Sequence, residues 1–214
     1  GFRMAGKKLL KLEYTVTIII IAAIIILILP FDFSSNAQAN FISRWCDKYS
    51  RLEYMFSVIN AHESEEILKN LKNAPDAETR EQILIRVIQP YFRIHKEKLP
   101  KRYSTKFMNN TKVPRSSRYY FDDTYFSENG MIVGIKDLKK TNAQEPMFIM
   151  MFDINGILPP NTWGRDIYGV NIYEDKIEPF GAELPMAELK TDCSAFGTGV
   201  GCSYYYKIGG GFND

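Results

Sequence analysis

The feature that most constrains this chain is an apolar run from Val16 to Leu29, which contains no charged residue. Four lysine and arginine residues precede it within residues 3–11. Counted from Leu9, the run extends to about 31 Å as a helix, which matches a hydrocarbon core of about 30 Å. A basic flank before such a run is typical of a membrane-targeting segment. The sequence therefore predicts a membrane-spanning helix near the N-terminus.

Helical periodicity resumes after Pro30 and predicts an amphipathic helix over residues 41–73. Its apolar residues recur at spacings of three and four, at Ile42, Trp45, Tyr49, Leu52, Phe56 and Ile59. A second helix is predicted over about 76–95, with Asp76 as its N-cap and Pro90 kinking or ending it.

Residues 98–118 are basic, polar and without a sustained period, and we interpret them as a long loop. From 119 to 214 the chain is β-rich, with hairpin signals at Asn129-Gly130 and Asn155-Gly156. Helices that precede strands favour an α+β fold. We expect a long N-terminal hydrophobic α-helix, a membrane or filament spine, packed on a C-terminal domain with an antiparallel β-sheet. The predicted domains are residues 1–40 and an extracytoplasmic domain of residues 41–214.

Two sets of residues resemble the type IV pilin and pseudopilin family. Glu13 and Pro30 bracket the apolar run with the separation of the family's N-terminal glutamate and helix-loosening proline. Asp153-Ile154-Asn155-Gly156 and the following Pro160-Asn161, Gly164 and Asp166 are similar to a motif series in the C-terminal domains of many prepilin-type proteins.

This resemblance implies a structural subunit of a type IV pilus, a pseudopilus or a related secretion or adhesion filament. In such a subunit Leu9 would begin the mature chain, although Lys8 stands where the family has glycine. Glu13 would pair with a neighbouring subunit's terminal amine, and Pro30 would loosen the helix. The implied partners are identical or related pilin subunits, the inner membrane and the assembly machinery. The implied location is the bacterial inner membrane, with the C-terminal domain extracytoplasmic, or an extracellular filament.

The chain has three cysteines, of which Cys193 and Cys202 are nine residues apart with glycines between them. If the domain is exported, these two form the natural disulfide pair, and the stretch is similar to one that closes many prepilin-type domains. Unpaired thiols in a reducing compartment are the alternative. Cys46 is interpreted as a buried thiol.

Asp153, Asn155 and Asp166 offer oxygen atoms of the kind that calcium prefers, and the resemblance allows a calcium site in this region. The favoured interpretation is structural, with Asn155-Gly156 turning a hairpin and Asp166 ordering the loop that follows. We predict no other cofactor. We also predict no enzymatic activity, because the chain has neither a G-x-S-x-G elbow nor a glycine-rich phosphate loop.

The net charge of +2 is spread along the chain, so we expect no nucleic-acid partner. The alternative function is a secreted binding domain whose signal peptide is cleaved near Ala39, or a binding domain on an uncleaved single-pass anchor.

Overall fold

A computed structural model describes the backbone of residues 2–62, 64–139 and 144–212, and within these ranges the side chains of all residues except 2–15, 22–35 and 64. The chain divides into two compact units, Gly1–Asn40 and Phe41–Asp214. Each unit is described by itself.

Five helices and six strands are present in the described residues. The helices are α1 (Phe2–His62), α2 (Ser64–Asn73), α3 (Ala77–Phe92), α4 (Met186–Asp192) and α5 (Cys202–Lys207). The strands are β1 (Ile94–Lys96), β2 (Thr124–Ser127), β3 (Ile132–Asp137), β4 (Phe148–Asp153), β5 (Ile167–Ile172) and β6 (Ile177–Pro179).

The prediction of a long N-terminal hydrophobic helix is wrong for the described residues. Among those residues no helix carries an apolar stretch long enough to cross a membrane. From Asn36 onward α1 presents exposed polar residues beside its buried apolar ones. The predicted transmembrane helix and inner-membrane location are therefore corrected as well.

The six strands form one antiparallel sheet in the order β1-β2-β3-β4-β5-β6. All residues of β4 and β5 are buried, which requires a covering layer on each face of the sheet. The antiparallel sheet of the predicted α+β class is present, and each strand from β2 to β6 overlaps an apolar segment of the sequence.

The C-terminal part of α1 and helix α3 cover one face of the sheet. Trp45 is fully buried, stacks on Tyr168 with ring centroids 5.1 Å apart, and donates from Nε1 to the Ser203 carbonyl at 2.9 Å. Burying one large apolar side chain stabilises a fold by about 1.5–3 kcal/mol. The apolar stripe of α1 therefore holds this part of the helix on the sheet.

The segment between β1 and β2 covers the opposite face. It contributes Val113 and Phe121 to a second apolar cluster, where they pack with Trp163 and Phe180. The predicted long loop is thus the second covering layer of the sheet. Its residues, all of which the structure describes, form no helix or strand.

Helix α3 begins and ends at local signals. Asp76 is its N-cap and accepts a hydrogen bond from the Thr79 amide at 2.7 Å, as the sequence predicts. Pro90 lies in the last turn, and Arg93 ends the helix with a left-handed φ of 45°. The chain then enters β1, whose first residues fall within the segment predicted as helix.

Candidate functional site

Two buried carboxyl groups meet where β4 ends and β5 begins. Asp153 is the last residue of β4 and the register partner of Ile167, the first residue of β5. Asp166 immediately precedes Ile167 and therefore lies beside Asp153. Both carboxyl groups are fully buried. The antiparallel pairing therefore brings together two aspartates that are separated by a loop of twelve residues, 154–165.

Three hydrogen bonds hold this pair. The Tyr103 hydroxyl donates to Asp153 Oδ2 at 2.9 Å. The amides of Asn161 and Thr162 donate to the two oxygens of Asp166 at 2.8 and 2.7 Å. Asp166 thus orders the loop between β4 and β5. Tyr103 connects Asp153 to the segment that covers this face of the sheet.

Burial dominates the electrostatics of the pair. It raises the pKa of Asp153 well above its usual range, and the neighbouring Asp166 carboxylate raises it further. The Tyr103 hydroxyl and two backbone amides offset part of this effect on the pKa of Asp153. Burial also raises the pKa of Asp166 from 3.8 to about 6, against the opposing effect of the Thr162 and Asn161 amides. Both carboxyl groups therefore keep their protons to a higher pH than a solvent-exposed aspartate does.

The donor set does not fit calcium. Calcium takes about six to eight oxygen ligands, but both oxygens of Asp166 already accept backbone amides. Asp153 Oδ1 and Asn155 Oδ1 are the buried side-chain oxygens of this cluster that have no hydrogen-bond partner within the described part of the chain. No group of three metal-ligating side chains occurs among the described residues. Asp153, Asn155 and Asp166 therefore form a structural cluster.

Gly156 allows the loop to approach the turn between β2 and β3. Its φ is +71°, and a Cβ at this position would lie 2.1 Å from the Gly130 carbonyl oxygen. Only glycine accommodates both the left-handed conformation and this approach. The Asn-Gly pair therefore forms a turn directly after β4, and β5 follows only after a longer connection.

Cys193 and Cys202, the predicted pair, form a disulfide between α4 and α5. The enclosed loop is also held by Asp192, whose carboxylate accepts from the Thr198 and Gly201 amides at 2.8 and 2.7 Å. Cys46 is half-buried and unpaired, and burial raises the pKa of its thiol.

The residues predicted to mediate assembly lie within α1. The side chains of Leu9, Glu13 and Pro30 are outside the described part of the chain. Between them the structure describes Val16, Ile18, Ile19, Ile20 and Ile21, which are 49–62% exposed. An exposed apolar segment of α1, residues 16–21, therefore occupies the region bracketed by Glu13 and Pro30.

Sequence reasoning missed two residues of these sites. Tyr103 is fifty positions from Asp153 and lies in a segment without periodicity, so no local signal connects the two. Asp192 is adjacent to Cys193 and is followed by glycines whose amides can reach a carboxylate. That arrangement was a usable signal.

Comparisons with known proteins show no family for this chain. No family model and no solved structure matches it. The large ribosomal subunit protein uL13 of Azotobacter vinelandii is 35% identical over 72 residues, which cover 32% of this chain and 50% of that protein. The uL13 of Pseudomonas syringae pv. tomato matches to the same extent. The chain thus spans about half the length of the curated relatives it matches.

These findings bear on the predicted location and cellular role of the chain. They are named as ribosomal proteins, and no described helix can span a membrane. The predictions of a transmembrane helix, a role in protein secretion or cell adhesion, and an extracellular location are therefore corrected. The physical reason is that they depended on an apolar helix of membrane-spanning length.

Proposed function

We propose that this chain is a non-enzymatic structural subunit that assembles with copies of itself, in the manner of type IV pilin and pseudopilin filament subunits. The observation that carries the proposal is the exposed apolar segment of α1. The proposal concerns contacts between copies and includes no membrane-spanning helix.

The geometry of this segment favours burial by several neighbours. Successive helical residues are about 100° apart, so four consecutive isoleucines at 18–21 point around the whole circumference. A single covering face would leave some of them in water. Removing apolar surface from water stabilises an assembly by about 25 cal/mol per Å², and helices packed on several sides of this segment provide that burial.

The buried aspartate pair supports the non-enzymatic part of the proposal. A catalytic carboxyl group must reach its substrate within hydrogen-bond distance. Asp153 and Asp166 are fully buried, and their hydrogen bonds go to the Tyr103 hydroxyl and to the loop backbone. These hydrogen bonds give the two carboxyl groups a structural role, which is to hold the β4–β5 connection in place.

Replacing two of the exposed isoleucines tests the proposal. We expect the full chain with Ile18→Ser and Ile20→Ser to lose self-association, because each substitution removes about 1.5–3 kcal/mol of available apolar burial. Sedimentation velocity would measure particle size, and negative-stain electron microscopy would detect filaments.

The matched control replaces two exposed apolar residues outside α1, Ile157→Ser and Leu158→Ser, which are 50% and 62% exposed. This variant should associate like the parent. If the α1 variant assembles as well as the parent and the control, the exposed segment of α1 does not mediate assembly and the proposal is wrong.

A further inference from the structure

Charge is less evenly spread than the net value of +2 suggested, because the covering segment over the second sheet face concentrates positive charge. Residues 98–118, here called the basic segment, contain seven lysine and arginine residues and no aspartate or glutamate. They are Lys98, Lys101, Arg102, Lys106, Lys112, Arg115 and Arg118. Like charges held this close repel one another and oppose folding unless counter-charge is supplied.

The basic segment is fixed to the domain. Met108 and Val113 are 4% and 2% exposed and anchor it in the two apolar clusters. The Lys106 amide donates to the Asn161 carbonyl at 3.0 Å, and the Met108 amide donates to the Thr198 carbonyl at 2.9 Å. The charges are therefore displayed on a preorganised frame, which lowers the entropy cost of binding.

Ion pairs within the domain supply little of the counter-charge, although Glu183 and Asp192 lie close enough to the Tyr119 hydroxyl, beside Arg118, to act on it. None of the seven basic side chains forms an ion pair with a carboxylate in the described part of the chain. Lys106 is half-buried, and the other six residues are exposed. Arg118 donates to the Asn171 side chain at 3.2 Å. The surface is thus open to an anionic partner.

The rest of the chain has the opposite charge. The whole chain carries +2 and the basic segment +7, so the remainder carries −5. Much of this charge lies in residues 174–192, here called the acidic segment, which has six carboxylates and two lysines. The carboxylates are Glu174, Asp175, Glu178, Glu183, Glu188 and Asp192. Asp175, Glu183 and Glu188 are exposed.

We propose that the basic segment of one copy binds the acidic segment of a second copy. The inference rests on the proposed self-assembly and names the surface through which the folded domains meet. Such a contact can repeat head to tail into an open array, or it can form twice and reciprocally in a two-fold dimer.

Charge reversal in the full chain tests this contact. One variant carries Arg102→Glu and Arg115→Glu, and the other carries Asp175→Lys and Glu188→Lys. These positions avoid Arg118 and Glu183, which both act on the nearby Tyr119 hydroxyl within one copy. The first variant lowers the charge of the basic segment from +7 to +3, and the second lowers that of the acidic segment from −4 to zero. Each variant alone should associate at least about tenfold more weakly than the parent at low salt, because the attraction falls and like charges oppose each other at the replaced positions.

Mixing the two variants distinguishes the contact from a general charge effect. Each reversed surface then meets its complement on the other variant, so the mixture should regain association to within about threefold of the parent. Association of the parent and of the mixture should both weaken as salt rises from about 50 to about 500 mM, because salt screens the contact between the charged segments. Lys69→Glu with Lys72→Glu, and Glu65→Lys with Glu78→Lys, are the matched controls on α2 and α3, and both should associate like the parent.

Three results would overturn the inference. Reversed variants that associate like the parent would show that the segments do not meet. A mixture that stays dissociated would show that they are not complementary. Binding of heparin that requires Arg102 and Arg115, with self-association unchanged by their reversal, would identify a polyanion as the partner instead. If the α1 variant loses association while charge reversal has no effect, the inference about the charged segments is wrong, but the proposed self-assembly through α1 still holds.

Discussion

At the scale of single residues, the carboxyl groups of Asp153 and Asp166 set the pH response of the fold. A carboxyl group whose pKa is higher in the folded state binds its proton more tightly there. Its contribution to stability is complete below the unfolded pKa and is lost as the pH rises through the folded pKa.

We therefore expect the free energy of unfolding to fall between pH 4 and pH 6. The pKa of Asp166 rises from 3.8 to about 6 on folding, which corresponds to about 3 kcal/mol over this window. Asp166→Asn should flatten the slope and also lower stability by about 1–3 kcal/mol, because its amide group cannot accept from the Asn161 and Thr162 amides as a carboxylate does.

Urea unfolding monitored by tryptophan fluorescence across this pH window would measure the slope. Asp122→Asn, which removes an exposed carboxylate, should leave it unchanged. A slope in Asp166→Asn equal to that of the parent would show that Asp166 is not the responsible group.

At the scale of elements, α4 and α5 are held together by a covalent bond and by one carboxylate. The disulfide closes a loop of about ten residues, for which the chain-entropy account gives roughly 2–3 kcal/mol. Asp192 accepts from the Thr198 hydroxyl at 2.6 Å as well as from two amides of the same loop. The loop therefore has a second constraint that does not depend on oxidation.

Removing the disulfide should consequently lower stability without abolishing folding. We expect Cys193→Ser with Cys202→Ser to lose at most about 3 kcal/mol. Adding Asp192→Ala to that variant should cost more than it costs in the parent, because the carboxylate is then the remaining constraint. A double-mutant cycle on denaturant unfolding would measure the coupling, and strictly additive losses would show that the two constraints are independent.

At the scale of the whole molecule, assembly and domain stability should be separable. Glu13 is predicted to pair with a positive group on a neighbouring copy, and it lies in the unit Gly1–Asn40, whereas the sheet core lies in Phe41–Asp214. Glu13→Ala in the full chain should therefore reduce self-association. It should leave the thermal unfolding of the domain unchanged.

Sedimentation velocity and differential scanning calorimetry on the same samples would measure both properties. Glu13→Gln tests whether charge is required, since it keeps the size of the side chain. Unchanged association in both variants would show that Glu13 takes no part in contacts between copies, and the apolar segment of α1 would then carry assembly alone.

The sequence by itself determined the local elements of this protein. The apolar stripe through Trp45 and Leu52 predicted the helix on the sheet, Asp76 predicted the start of α3, and the spacing of Cys193 and Cys202 predicted the disulfide. Each of these signals depends on neighbours within about one or two turns or one short loop, which a sequence pattern can record.

Only the tertiary structure decided how distant residues meet. Tyr103 reaches Asp153 across fifty positions, and the irregular basic segment becomes a layer over the sheet. The sequence also misled, since an apolar run was interpreted as a membrane-spanning helix that the described residues do not contain. The physical reason is that burial and pairing depend on the whole folded chain, whereas hydropathy and periodicity report only on neighbouring residues.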